Sequence, residues 1–127
     1  RSIVRKMKQT MIPFYYLPDQ DMDEKNSLYV PFFAQPVCAT LDTLPKLAQL
    51  TEALIIPMAT YREGNHYVVE LAAPLENYPT GDTQADVATM NRYIETMIMK
   101  HPDQYLWMHK RFKTQPNLPR GKLYENC

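Results

Sequence analysis

Glycine is scarce in this chain, three residues in 127, and none lies in the closely spaced pattern that cradles a phosphate on backbone N–H groups. A glycine-rich nucleotide loop is therefore excluded. Serine is scarcer still: Ser2 and Ser27 are the only two, and neither sits in a Gly-x-Ser-x-Gly turn, which removes the serine-nucleophile elbow. Two cysteines, Cys38 and Cys127, are too few for a disulfide framework and fit a reducing compartment. Cys38 has no base beside it in sequence and reads as a small buried residue. Three histidines, His66, His101 and His109, are scattered without the His-x-x-x-His spacing of a zinc site. Net charge is absent too, since 14 basic and 14 acidic side chains cancel, and with it goes the global electrostatic case for a nucleic-acid partner. Apolar runs such as residues 53–59 fall far short of the roughly 18 to 20 residues that span a bilayer. No signal peptide is visible.

What is present describes one ordinary domain. Hydrophobic residues make up 45% and charged residues 22%, a globular balance able to support a core. The eleven prolines are dispersed and so act as punctuation between short elements. Charge is uneven locally. Arg1, Arg5, Lys6 and Lys8 open the chain, Asp19, Asp21, Asp23 and Glu24 cluster, and Lys110, Arg111, Lys113, Arg120 and Lys122 crowd the other end. Basic ends of this kind suit phosphate or an anionic membrane surface, or are plain solvated faces. The first of these options defines one functional alternative, a non-catalytic module that binds anionic lipid.

The pattern along the chain predicts helix, strand, strand, helix, strand, strand, helix, helix. Residues 1–10 carry Ile3, Val4 and Met7 at helical spacing among basic residues. Residues 11–17 and 28–33 read as strands, each interrupted by a proline. Leu41, Leu44, Leu47 and Leu50 mark a helix over 40–50, with Pro45 in its first turns. Residues 53–58 suit a strand covered on both faces, and 67–72 a partner joined through a turn at Arg62-Glu63-Gly64-Asn65. Asp82 or Thr83 caps the clearest helix, whose stripe is Val87, Met90, Ile94, Met97 and Ile98. Pro102 starts a last helix, and 115–127 form an extended tail. The strand, helix, strand succession over 28–58 is compatible with a right-handed crossover, so the expected class is α/β with a mixed, largely parallel sheet flanked by helices.

Candidate chemistry centres on the break at residues 15–24, Tyr-Tyr-Leu-Pro-Asp-Gln-Asp-Met-Asp-Glu. Alternate acids at 19, 21 and 23 suggest a calcium loop, but the sixth position is Glu24 where glycine is needed and the twelfth is Val30 where a bidentate glutamate is needed. A solvated acidic loop and a positioned polar site at a strand end both remain open. His109 is set apart from His66 and His101 by the aromatic and basic patch around it, from Trp107 to Lys113.

Taken together, Tyr16-Leu17-Pro18-Asp19-Gln20-Asp21, Val30-Pro31-Phe32-Phe33, Ala39-Thr40, Ile55-Ile56-Pro57, Gln104-Tyr105-Leu106-Trp107 and His109-Lys110-Arg111-Phe112-Lys113-Thr114 resemble the late acyltransferases of lipid A biosynthesis, across the C-terminal half of that family. The resemblance implies a glycerolipid-acyltransferase-like fold, incomplete here, with residues 1–127 as the C-terminal portion of a single acyltransferase domain. It implies transfer of a C12–C14 class acyl chain from acyl carrier protein to a hydroxyl of a lipid A precursor, without a cofactor or metal. It further implies the cytoplasmic face of a bacterial inner membrane. The family's base is a histidine with an acid five positions on, where a hydroxyl must lose its proton to become a competent nucleophile. Leu71, Leu106 and Thr114 occupy that position after the three histidines. No catalytic residue is therefore expected among these 127, and the His-x4-Asp/Glu pair and the membrane anchor are expected upstream. The substrate-side residues implied are Asp19, Gln20 and Asp21 at the strand end, Thr40 at a helix start, Arg62, and the basic His109, Arg111 and Lys113. Cys38-Ala39-Thr40-Leu41-Asp42-Thr43 departs from the threonine run and glycine that many relatives carry there.

Overall fold

The computed structural model describes residues 2–10, 12–22 and 24–125, and the backbone alone of Ser2. Arg1 of the basic end, Met11 at the start of an expected strand, Asp23 of the acidic cluster and the terminal Cys127 lie outside the described residues. The elements are α1 (Ser2–Gln9), β1 (Ser27–Phe32), β2 (Gln35–Leu41), α2 (Thr43–Thr51), β3 (Met58–Glu63), β4 (His66–Leu71) and α3 (Thr83–Ile98). Single 3-10 turns follow at Pro102–Gln104, Trp107–His109 and Lys122–Tyr124.

The class is α/β, but the largely parallel sheet is not what forms. Among the described residues there are two antiparallel two-stranded sheets, β1 with β2 and β3 with β4. The difference traces to residues 35–41. They follow Phe33-Ala34, a turn without the Asn-Gly or Asp-Gly signal that marks a tight hairpin, with Phe33 itself held at a φ of 51°. The chain therefore doubles back at once, pairing Ser27 with Leu41 and Val30 with Cys38, and no crossover is needed. A register shift between Val30 and Phe32 absorbs Pro31, which has no N–H to give the ladder.

Residues 53–57 are irregular where a strand was expected, and regular pairing starts only at Met58. Two further backbone bonds extend the second hairpin beyond its strands: Ala72 N–H to the Pro57 carbonyl and Leu75 N–H to the Ile55 carbonyl, both 2.9 Å. Its turn falls at Gly64-Asn65 as the sequence indicates, with Gly64 at a φ of 57°, where a side chain would be strained. Residues 12–17 are likewise irregular between Pro13 and Pro18.

Helix α3 organises the core. Asp82 accepts a hydrogen bond from the Ala85 N–H at 3.1 Å and so satisfies one orphan donor of the first turn. The helix then lays its stripe against β1. Val87 and Met90 pack with Val30 and Leu44 in one buried cluster, Ile98 packs with Phe32 and Cys38 in a second, and Ile94 touches both. Beyond α3 the chain forms two separate 3-10 turns in place of the expected helix, because Tyr105 between them is extended.

The expected extended tail turns back on the molecule instead. Gly121 N–H reaches the Lys113 carbonyl at 2.6 Å, and the Tyr124 hydroxyl accepts from the Phe112 N–H at 3.1 Å. Arg120 donates to the Met22 carbonyl at 2.7 Å.

Candidate functional site

The residues singled out in sequence fall into two different environments. The first is buried. Asp21 is 2% exposed, and both of its carboxylate oxygens are taken by Thr114: Oδ2 accepts from the Thr114 N–H at 2.8 Å, and Oδ1 from the Thr114 hydroxyl at 2.7 Å. Of the two readings left open, the solvated acidic loop thus fails for Asp21, which pins the acidic segment to the end of the basic one.

Arg111 is equally withdrawn, at 1% exposure. Its Nη1 donates to the Ala39 carbonyl at 2.5 Å, its Nη2 donates to the Thr40 hydroxyl oxygen at 2.7 Å, and its guanidinium lies 4.9 Å from the centre of the Phe32 ring. Asn91 on α3 donates to the same Thr40 oxygen at 3.2 Å and to the Pro31 carbonyl at 2.8 Å. Thr40 thus lies inside β2, held between a cation and an amide. A guanidinium so enclosed joins β2 to the C-terminal segment, and it offers no free donor face to a phosphate in solution. Beside it, burial pushes the Cys38 thiol up to about 11, against the opposing charge of Arg111.

The second environment is open. A groove of about 720 Å³ runs between residues 13–19, the 54–61 segment with Leu71, and the outer side of α3. Its walls are Leu17, Leu54, Ile56, Met58, Leu71 and Met97, and Leu54 is 76% exposed on them. Such a concave, mainly apolar surface with a few polar groups at one end has the form of a small-molecule site. The polar end holds Asp19, Tyr105, Gln104 and His101. His101 stacks on Tyr61 with ring centres 4.0 Å apart.

Asp19 lies against the Tyr105 hydroxyl, whose pKa is raised first by burial and then by the charge of Asp19. On its other side the same hydroxyl is 3.4 Å from His109 Nε2, and His109 Nδ1 is 2.5 Å from the Leu106 carbonyl. A carbonyl only accepts, so Nδ1 carries the proton and Nε2 of the neutral ring is an acceptor. Asp19 and His109 Nε2 thus flank one hydroxyl that has a single proton to give, an arrangement that their separation in sequence does not reveal.

The remaining candidates are elsewhere. Arg62 sits on the exposed second hairpin, where its backbone exchanges two hydrogen bonds with the Gln104 side chain, at 2.7 and 3.0 Å, and its Nε donates to the Gly64 carbonyl at 2.8 Å. Gln20 and Lys113 are half-buried. Sequence reasoning missed Asn91 and gave His101 no functional case. The amide in the middle of an apolar stripe was the one available signal for Asn91, since a buried polar side chain needs a partner.

Residues 1–114 match the family model described as bacterial lipid A biosynthesis acyltransferase. A lipid A biosynthesis acyltransferase of Haemophilus influenzae is 38% identical over 114 residues, covering 87% of this chain and 37% of that protein. The lipid A biosynthesis palmitoleoyltransferase of Escherichia coli K12 is 39% identical over 118 residues, 91% of this chain and 38% of its own length. The lauroyltransferase of the same organism is 32% identical over the same span. The chain thus spans less than two fifths of the curated relatives it matches.

Proposed function

Because the chain belongs to the bacterial lipid A biosynthesis acyltransferase family, we propose that it serves an enzyme that moves a fatty acyl chain from acyl carrier protein to a hydroxyl of a lipid A precursor. The observation that carries this reading is the family match over residues 1–114, which includes both the polar motif at Asp19 to Asp21 and the basic segment ending at Thr114. Relatives named for lauroyl and palmitoleoyl transfer widen the acyl class from C12–C14 to include a C16 chain.

Within that reaction these residues supply a binding surface. His66 lies on the exposed hairpin, 3.9 Å from Glu63. His101 is stacked on Tyr61, and His109 is tied to Tyr105 and Leu106. None has an acid five positions on, so none of the three is given the role of base in this reading. What the present residues can do is seat chains in the groove and orient polar groups at its end.

Among the described residues no helix is long and apolar enough to cross a membrane. Helix α1 exposes Arg5, Lys6 and Lys8 on one side. That basic face supports contact with the anionic cytoplasmic surface of an inner membrane, each charge contributing on the order of 1 kcal/mol near such a surface. Taken alone, it is also what a non-catalytic lipid-binding module would use.

The decisive experiment is acyl transfer by the complete protein, with acyl carrier protein loaded with C12, C14 or C16 chains as donor and tetra- or penta-acylated lipid A precursors as acceptors. Transfer to at least one acceptor is expected. Absence of transfer with every donor and acceptor, from a folded protein, overturns the reading.

A further inference from the structure

The family match ends at Thr114, yet the chain beyond it is built into the molecule. The tail leaves Lys113 and comes back beside it, where the Gly121 N–H meets the Lys113 carbonyl at 2.6 Å. Asn117, at a φ of 64°, and Gly121, at 85°, make the bends, and Pro116 and Pro119 stiffen the loop so that less freedom is lost when it closes. From there the tail reaches two separate parts of the chain. The Tyr124 hydroxyl accepts from the Phe112 N–H at 3.1 Å, and the Tyr124 ring lies 5.6 Å from Lys110 Nζ. Arg120 turns the other way and donates through one nitrogen, Nη2, to the Asp21 and Met22 carbonyls at 3.3 and 2.7 Å. These parts adjoin His109 and Asp19, the two groups on either side of the Tyr105 hydroxyl.

The segment that carries Asp19 depends on outside support. Residues 12–22 form no helix or strand, only a turn at Pro18-Asp19, so no ladder sets where the Asp19 side chain points. Thr114 fixes the Asp21 carboxylate, but a bond to a side chain leaves the peptide units beside it free to turn. Arg120 removes that freedom, because it holds two successive carbonyls at once, with the added strength of a charged donor. Its side chain is 54% exposed and acts from the solvent side, so its loss opens no core.

We propose that the tail is a clasp and that Arg120 is a positioning residue: by holding the Asp21 and Met22 carbonyls it aims the Asp19 carboxylate at Tyr105 and so sets the polar end of the groove. What that polar end is used for rests on the acyl-transfer reading above; how it is held rests on the geometry alone.

The geometry can be tested without any transfer, which separates failure of this proposal from failure of the enzymatic reading. Tyrosine labelled with carbon-13 at Cζ reports on its hydroxyl's neighbours by NMR. In the 127-residue chain Asp19→Asn removes the charge beside the Tyr105 hydroxyl and should move the Tyr105 Cζ resonance. The same substitution in an Arg120→Ala background should move it by about half as much or less. Arg120→Lys should restore the full effect, since both contacts run through one nitrogen, which an ammonium can replace. Throughout, the Thr114 amide resonance should stay in place, because the Asp21 carboxylate still holds it. An Asp19→Asn effect of equal size with and without Arg120 overturns the proposal, as does the lack of any such effect in the parent. A Thr114 amide that moves along with Tyr105 in Arg120→Ala shows general loosening and overturns the positioning role. In the complete protein Arg120→Ala should lower kcat/KM for acyl transfer by about tenfold, with Arg120→Lys near the parent. Transfer unaffected by Arg120→Ala overturns the clasp's part in the reaction, whereas a complete protein that transfers nothing while the resonances decouple overturns the acyl-transfer reading and leaves the clasp standing.

Discussion

Thr114 gives both its backbone N–H and its hydroxyl to the two carboxylate oxygens of Asp21, 93 residues earlier in the chain. The pair closes the molecule. It ties the segment that follows Pro18 to the end of the basic segment, and Arg120 adds a third strand of contact through the Asp21 and Met22 carbonyls.

From that relationship Asp19 and Asp21, two residues apart, should behave oppositely. Asp21→Ala leaves a buried N–H and a buried hydroxyl without acceptors and should destabilise the fold by about 3 kcal/mol. Asp19→Ala removes a half-buried carboxylate that no such pair depends on, and should change stability by about 0.5 kcal/mol or less. Urea denaturation of the two variants checks this. Equal midpoints would show that the Thr114 contacts contribute nothing measurable.

Arg111 supports a second prediction, one about the order of two substitutions. No carboxylate lies within ion-pair distance of its guanidinium among the described residues, and its Nε has no hydrogen-bond partner. The cation is thus buried on neutral acceptors, which is costly unless geometry is good. Arg111→Lys keeps the charge but loses the planar fork that reaches Ala39 and Thr40 together, and should cost about 3 kcal/mol. Arg111→Met removes the charge, keeps much of the packing on Phe32 and should cost less than the lysine variant. A double-mutant cycle with Thr40→Val should return a coupling of about 1 kcal/mol or more, since the two side chains share a hydrogen bond of 2.7 Å. A lysine variant as stable as the parent would mean that charge alone holds the site.

The two environments also explain which parts of the fold could be read from sequence. Helix α3 was legible because its stripe, its cap at Asp82 and its length all agree, and such agreement across levels is what specifies an element. The turn and β4 of the second hairpin were legible because Gly64-Asn65 advertises the turn, whereas β3 forms at Met58–Glu63 and not over the apolar run at 53–58 that was expected to be the strand. Strand β2 was not, because Phe33-Ala34 carries no turn chemistry and the leucine spacing from Leu41 onward drew the helix forward by three residues. Without that hairpin the strand, helix, strand order was compatible with a parallel crossover. In the site, residue types were legible and their depth was not. Asp21 and Arg111 are charged side chains that sequence statistics place at the surface, and only tertiary partners such as Thr114 and Thr40 make their burial affordable. The meeting of Asp19 with His109 depends on Tyr105 in a short irregular stretch, where no periodicity says which way a side chain points.

Cys38 gives the last prediction, on reactivity and pH. Its thiol is completely buried, donates weakly to the Arg111 carbonyl at 3.8 Å, and is pushed by burial from 9.0 up to about 11. The thiolate is the reactive form, so in the folded chain at pH 8 alkylation at Cys38 should be slower than in the urea-unfolded chain by a hundredfold or so, as about two pKa units imply. The sign for stability follows from the same shift. Below pH 9 both states keep the proton and the thiol has no effect on the pH dependence. Above it the unfolded chain ionises first while the folded chain holds its proton to about 11, so stability is lost between these values. The loss from this group should be of order 2 kcal/mol. Tyr16, Tyr78 and Tyr105, also raised by burial, act in the same direction. Cys38→Ala isolates the thiol's share: its stability should fall less steeply from pH 9 to 11 than that of the parent. Parallel pH profiles, or alkylation of Cys38 at the unfolded rate in the native chain, would show that the thiol reaches solvent as a thiolate.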